Sequence, residues 1–182
     1  MPFFDAERKI EAAQLRVRIK EIGETIYSQR QPIGKIEYCV TGKRRGPERA
    51  PKSGWKPFAV GQRWGGYDQT TWFRMRAVVP KSMKGQRVVA FINTTTRPFV
   101  WGAPDMIEGG EALAYVNGEP MQGLDRHHDE IYLVEKAKGG ERFDIALEAT
   151  PSTRHDHYHH FGYADIAAMN SQIPGTLTNR LL

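Results

Sequence analysis

The chain has 182 residues, of which 40% are hydrophobic and 26% are charged, so it is large and apolar enough to form one globular domain with its own core. Its net charge is +5 at pH 7, and no apolar run approaches the ~18 residues of a membrane-spanning helix. Its single cysteine, Cys39, cannot form an internal disulfide, and the first residues are charged where a signal peptide would be apolar. These properties argue against a membrane protein and an exported disulfide scaffold, and predict a cytoplasmic location.

The first predicted element is a helix from Asp5 to about Tyr27. Four apolar residues recur at spacings of three and four and therefore line one face of it. This helix stripe consists of Leu15, Ile19, Ile22 and Ile26. An apolar stripe needs a partner, so we expect it to make a contact within the chain or between chains, and we assign residues 1–30 to the helix and its lead-in.

A basic segment follows the helix. It reads "GKRRGPERAPKSGWKP", from Gly42 to Pro57, and has six basic residues against Glu48 alone. Such a segment could bind phosphates of a nucleic acid. However, its interleaved prolines and glycines are typical of a surface connection, and no nucleic-acid-binding motif accompanies it. We therefore predict a solvated loop and no nucleic-acid partner.

After this loop the pattern of hydrophobicity becomes alternating, as in half-buried strands. In "TWFRMRAVVP", Phe73, Met75 and Ala77 share one face, and Arg74 and Arg76 share the other. Further strands are predicted in "QRVVAFIN", "DEIYLVE", "ERFDIALEAT" and "FGYADIA", with a hairpin in "ALAYVNGEPMQGL" around Asn-Gly.

The predicted strands follow each other without intervening helices, which is typical of an antiparallel sandwich or jelly roll. We therefore predict a mainly β fold, an antiparallel β-sandwich of the jelly-roll, galactose-binding-like type with an N-terminal α-helix. The sandwich is assigned to residues 31–170. Residues 171–182, "SQIPGTLTNRLL", are predicted to begin a truncated linker to an absent catalytic domain.

Three segments in this order resemble the N-terminal domain of cytosolic-type α-mannosidases of glycoside hydrolase family 38. They are "VGQRWGGYDQTTWFRMRAVVP", "GEALAYVNGEPMQGLDRHHDEIYL" and "FDIALEAT". In that family a helix and a jelly-roll sandwich precede the catalytic barrel, and the resemblance runs from about Ile10 to Ile166. It implies a parent enzyme that removes α-linked mannose with a divalent metal such as zinc, and a non-catalytic role for this domain in domain packing or oligomerisation.

The family's catalytic zinc motif is His-x-Asp in an apolar, Trp-containing strand. The only His-x-Asp in this chain is His127-His128-Asp129, which belongs to the sandwich and lacks the Trp-rich continuation. A retaining glycosidase also needs two carboxylates about 5 Å apart, and the sequence assigns no such pair. We therefore expect no cofactor on this chain and no hydrolysis by it alone. The expected partners are the catalytic barrel, a second copy of the chain, or a mannoside.

Two groups of residues are candidates for contact with a sugar or with a neighbouring domain. Of the four tryptophans, Trp64 and Trp101 are predicted to be the more exposed pair, and an exposed indole can stack on a pyranose. Core or interdomain packing is nevertheless favoured for each of them taken singly. Asp125, Arg126 and His128 lie in "GLDRHHDE", where Asp125 and Arg126 can form a charge-assisted pair and a histidine can donate to a sugar hydroxyl. For the second group a structural or domain-docking role is favoured over sugar contact.

The stretch "RHDHYHHF" is a weak candidate for a metal site. On a strand, His155, His157 and His159 would share a face, and three imidazoles can bind Zn²⁺, Ni²⁺ or Cu²⁺. However, the stretch lies between two predicted strands and is therefore predicted to be a loop. Two alternative functions remain, a stand-alone carbohydrate-binding module that uses the tryptophans and a metal-binding domain that uses the histidines.

Overall fold

The computed structural model describes residues 10–11, 13–18, 21, 25–42, 50–66, 69–94, 110–125, 128–151 and 158–170. Within them, two antiparallel sheets pack face to face around one apolar core, so the predicted fold class is confirmed. The strands are β1 Tyr27–Pro32, β2 Ile36–Thr41, β3 Lys56–Phe58, β4 Arg63–Gly65, β5 Thr70–Val78, β6 Arg87–Asn93, β7 Glu111–Val116, β8 Glu119–Leu124, β9 Glu130–Val134, β10 Arg142–Thr150, β11 Tyr158–His160 and β12 Tyr163–Met169.

One sheet has six strands in the order β3-β2-β5-β10-β7-β8, and its central strand β5 follows the predicted alternation. Phe73, Met75 and Ala77 are buried in the core. On the opposite face, Arg74 pairs with Glu37 at 2.8 Å and Arg76 with Asp144 at 2.5 Å. The period of two therefore separates the core from a charged outer surface, as predicted.

The other sheet has four strands in the order β1-β12-β6-β9. The strand β6 lies inside it, which explains its nearly continuous apolar sequence. Val88, Ala90 and Ile92 face the core between the sheets, whereas Val89 and Phe91 belong to a second apolar cluster with residues of β12. Both faces of β6 are thus covered, and the prediction that it lies near a sheet centre is confirmed.

The hairpin between β7 and β8 turns at Asn117-Gly118, as predicted. Asn117 has φ 53° and Gly118 has φ 88°. Both values are positive, as a type I′ turn requires, and Asn and Gly are the residues that adopt them at the lowest cost. The turn aligns β7 with β8 and thereby places Glu111 and Asp125 at the same end of the hairpin.

The N-terminal helix includes residues 10–11, 13–18, 21 and 25–26 among those described, and it ends where β1 begins at Tyr27. Two members of the helix stripe are described: Ile26 is 4% exposed and Leu15 is 61% exposed. The side chains of Ile19 and Ile22 lie outside the described residues. β1 pairs with β12, so the sandwich begins at Tyr27, ahead of the predicted boundary at residue 31.

Five strands were not predicted from the sequence, namely β1, β2, β3, β4 and β11. The strands β3, β4 and β11 have three residues each, too few for a period to be read. The edge strand β1 is largely exposed and contains a bulge at Gln29, whose φ is 56°.

Among the described residues, no helix has the length and apolar character of a membrane span.

Candidate functional site

Trp64 is buried, and the prediction that it is exposed is wrong. Its side chain is 4% exposed and packs edge-on against Phe73 in the core, with ring centroids 5.5 Å apart. Its indole Nε1 donates a hydrogen bond of 2.7 Å to the carbonyl oxygen of Thr94. A buried indole satisfied in this way cannot offer its face to a sugar, so Trp64 is a structural residue.

His159 lies on a strand and not in a loop, which corrects the prediction for this residue. It pairs with Trp64 across the small sheet formed by β11 and β4. Its ring is 2% exposed, and the ring centroids of His159 and Trp64 lie 5.4 Å apart. Two residues that the sequence assigned to different functions, sugar contact and metal binding, are therefore packing partners of each other.

Trp64, Thr94, Gly110 and His159 form a structural unit that we call the Trp64 clamp. The Thr94 hydroxyl donates to the carbonyl oxygen of Gly110 at 3.0 Å. This hydrogen bond links the residue before the segment 95–109 to the residue after it. A Cβ atom on Gly110 would lie 2.6 Å from the indole of Trp64 and 3.2 Å from the ring of His159. Only glycine allows the backbone to approach the two rings this closely.

Next to the Trp64 clamp, the end of the sandwich contains a cleft of about 320 Å³. We call it the tyrosine cleft. It is lined by Tyr38, Val40, Arg63, Trp64, Thr71 and Tyr158. The guanidinium carbon of Arg63 lies 3.7 Å from the ring centroid of Tyr158, a cation–π contact at the rim. The hydroxyl of Thr71 is buried and has no hydrogen-bond partner.

Asp125 and His128 are brought together by a local turn. The backbone N–H of His128 donates to Asp125 Oδ1 at 2.8 Å, and the His128 ring nitrogen Nδ1 lies 3.0 Å from both carboxylate oxygens. The side chain of Asp125 therefore closes the turn that leads from β8 to β9. Arg126 lies outside the described residues.

Asp125 also lines a second cavity, of about 290 Å³, on the outer face of the six-stranded sheet. This carboxylate cavity is formed by Glu111, Leu113, Gly123, Asp125, Glu148 and Thr150. Glu148 is 2% exposed, and the Tyr115 hydroxyl donates to it at 3.3 Å. Glu111 and Glu148 could not be predicted as neighbours from the sequence, because only the register of β7, β8 and β10 brings these distant carboxylates together.

Of the His-x-Asp triplet His127-His128-Asp129, the structure describes His128 and Asp129, whereas the histidine of the motif, His127, lies outside the described residues. The ring of His128 points to Asp125, whereas Asp129 accepts a hydrogen bond from the Tyr163 hydroxyl. The two side chains are thus held by different partners. Among the residues that the structure describes, no group of three or more His, Cys, Asp or Glu side chains could hold a metal ion. His127, His155 and His157 lie outside these residues, as does Trp101.

A second group of acidic residues lies on the outer face of the four-stranded sheet, against two tyrosines. The Tyr27 hydroxyl donates to Glu130 and the Tyr163 hydroxyl donates to Asp129. Burial, together with the charge of Asp129, raises the pKa of Glu130 above its ordinary value. Burial, followed by the hydrogen bond to Asp129, raises the pKa of Tyr163 to about 12. The guanidinium of Arg30 covers the rings of Phe91 and Tyr163, so side chains of the sheet itself cover this face.

These observations define the class of the molecule: a jelly-roll type β-sandwich whose predicted site residues, where described, hold the fold together. Residues 32–170, about three quarters of the chain, match the family described as "Alpha-mannosidase, jelly roll domain". The chain therefore belongs to this family, and it is a domain of a glycosidase. The resemblance inferred from the three segments is confirmed.

Known proteins similar to the chain are much longer than it is. The chain is 27% identical over 111 residues to Alpha-mannosidase 2C1 of Homo sapiens, a match that covers 61% of the chain and 9% of that protein. A beta-glucuronidase of Faecalibacterium prausnitzii superposes with a TM-score of 0.52 at 11% identity, over 80% of this chain and 32% of that one. A glycoside hydrolase family 2 beta-glucuronidase matches with a TM-score of 0.43 at 16% identity, over 79% and 18%. The first structural likeness concerns the fold alone.

Proposed function

We propose that this chain is a non-catalytic N-terminal domain of a cytoplasmic α-mannosidase and that it packs against the catalytic barrel of the same polypeptide. The parent enzyme would hydrolyse α-linked mannose with a divalent metal such as zinc bound to the barrel. Family membership supports the parent activity. The short match to a much longer α-mannosidase supports a role as one part of a larger enzyme.

One observation carries the docking role: the helix stripe is covered at one end and uncovered at the other. Ile26 is 4% exposed at the junction with β1, whereas Leu15, which the sequence pattern assigns to the same stripe, is 61% exposed. A partner that covers an apolar residue on an amphipathic helix stabilises the contact, by about 1.5–3 kcal/mol for a fully buried leucine. We therefore assign the uncovered end of the stripe to the contact with the barrel.

The role is tested by replacing Leu15 with aspartate in the full-length enzyme. Because a carboxylate in an apolar contact must be desolvated, we expect the thermal unfolding midpoint of the enzyme to fall by several degrees and the isolated 182-residue chain to keep its own midpoint. Val17→Asp is the matched control, since Val17 is 57% exposed but lies about 200° around the helix from Leu15.

Two outcomes would contradict the proposed contact. If Leu15→Asp and Val17→Asp have the same effect on the full-length enzyme, the stripe does not contact the barrel. If Leu15→Asp instead halves the molecular mass in solution and leaves the contact between domains intact, the stripe joins two copies of the enzyme. Differential scanning calorimetry and light scattering distinguish these results.

A further inference from the structure

We infer that the tyrosine cleft binds one ring of a neutral hexopyranoside, at a site separate from the barrel. The inference rests on the proposed role of the chain as a domain of a sugar-cleaving enzyme, but not on the docking of the helix stripe. It assigns sugar contact to Tyr38, Arg63 and Tyr158 rather than to the predicted Trp64, which only closes the base of the cleft.

The size of the tyrosine cleft restricts the ligand to a small molecule. Its volume of about 320 Å³ lies at the lower end of the ~300–1,000 Å³ found for ligand pockets. The rim is open to solvent at Val40, which is 48% exposed, and at Tyr158, which is 37% exposed. A single sugar ring at the end of a glycan or glycoside could enter such a cleft, whereas a folded protein segment would find too little surface.

The walls of the tyrosine cleft are aromatic and already fixed in place. The ring of Tyr38 packs on Phe58 with centroids 5.1 Å apart. Trp64, which closes the base and does not present its face to the ligand, is held by its hydrogen bond to Thr94. The rim ring of Tyr158 is held by Arg63. Pyranose rings present apolar C–H faces that pack on aromatic side chains, and walls that are ordered in advance reduce the entropy lost on binding.

The charge of the tyrosine cleft favours a ligand rich in oxygen acceptors. Arg63 is the only charged residue among the described side chains that line it, so a cation would find no counter-charge there. The guanidinium and the tyrosine hydroxyls supply hydrogen-bond donors for hydroxyl and ring oxygens. Thr71, which also lines the cleft, adds a buried hydroxyl that lacks a partner.

The experiment is a titration of the ¹⁵N-labelled 182-residue chain with methyl α-mannopyranoside, followed by amide chemical shifts. We expect saturable shifts at millimolar concentrations for amides that line the tyrosine cleft. Tyr158→Ala should weaken binding by about two- to tenfold, the value of one aromatic contact. Tyr132→Ala is the matched control, because Tyr132 is a similarly exposed tyrosine that lies beside Arg87 on the four-stranded sheet, away from the cleft.

A second variant keeps the inference falsifiable if Tyr158→Ala disturbs the small sheet. Val40 lies near the C-terminal end of β2 and is largely exposed. Val40→Trp therefore places a large ring in the cleft and should abolish the shifts without lowering the unfolding midpoint. The inference fails if no saturable shifts occur, if they persist in Val40→Trp, or if they map to the carboxylate cavity. It also fails if sodium acetate produces the same shifts, since Arg63 would then bind any small anion. None of these results bears on the Leu15→Asp test.

Discussion

Gly110 is the residue at which the Trp64 clamp is most sensitive to a single atom. A Cβ atom there would lie 2.6 Å from an indole whose Nε1 is already fixed by Thr94, so neither side can move away cheaply. We expect Gly110→Ala to lower the free energy of unfolding by about 1–3 kcal/mol, as overpacking does elsewhere. Gly34→Ala is the control, because nothing lies within 4 Å of its Cβ position, and it should stay within about 0.5 kcal/mol of wild type. Equal urea midpoints for the two variants would show that the clamp is loose.

At the scale of elements, tyrosine hydroxyls of β1 and β12 donate to Glu130 at the start of β9 and to Asp129 just before it, and this arrangement makes the fold less stable at alkaline pH. The pKa of Tyr163 is raised to about 12, and burial and Glu130 raise that of Tyr27 above its ordinary value. In the unfolded chain both tyrosines ionise near pH ~10. The contribution of Tyr163 is therefore complete below pH ~10 and is lost as the pH rises towards 12, whereas that of Tyr27 only begins to fall over this range. Urea unfolding measured between these pH values should show a smaller loss of stability for Tyr163→Phe than for wild type, and identical slopes would refute the coupling.

For the whole molecule, the sequence predicted what depends on period and on turn chemistry, and failed where distant strands meet. The alternation in β5 and the Asn117-Gly118 turn could be read directly, because each pattern is local. The burial of Trp64 and His159 could not, because it depends on pairing between the three-residue strands β4 and β11, which lie more than 90 residues apart. The same holds for the carboxylate cavity. A pair of glycines after Trp64, both with positive φ, was the only local sign of a constrained turn there.

The proposed division of labour between domains also has a consequence for activity. In the described part of the chain, the carboxylates Asp125, Asp129 and Glu130 are each bound by a neighbouring side chain, so none of them is poised as an acid opposite a nucleophile. We therefore expect the purified 182-residue chain to release no nitrophenol from 4-nitrophenyl α-mannoside, with or without added Zn²⁺, while the full-length enzyme does. Glu148→Gln tests whether the carboxylate cavity hydrolyses the substrate. If the isolated chain hydrolysed the nitrophenyl mannoside and this variant abolished the hydrolysis, the chemistry would lie in the sandwich itself. The non-catalytic role would then be overturned.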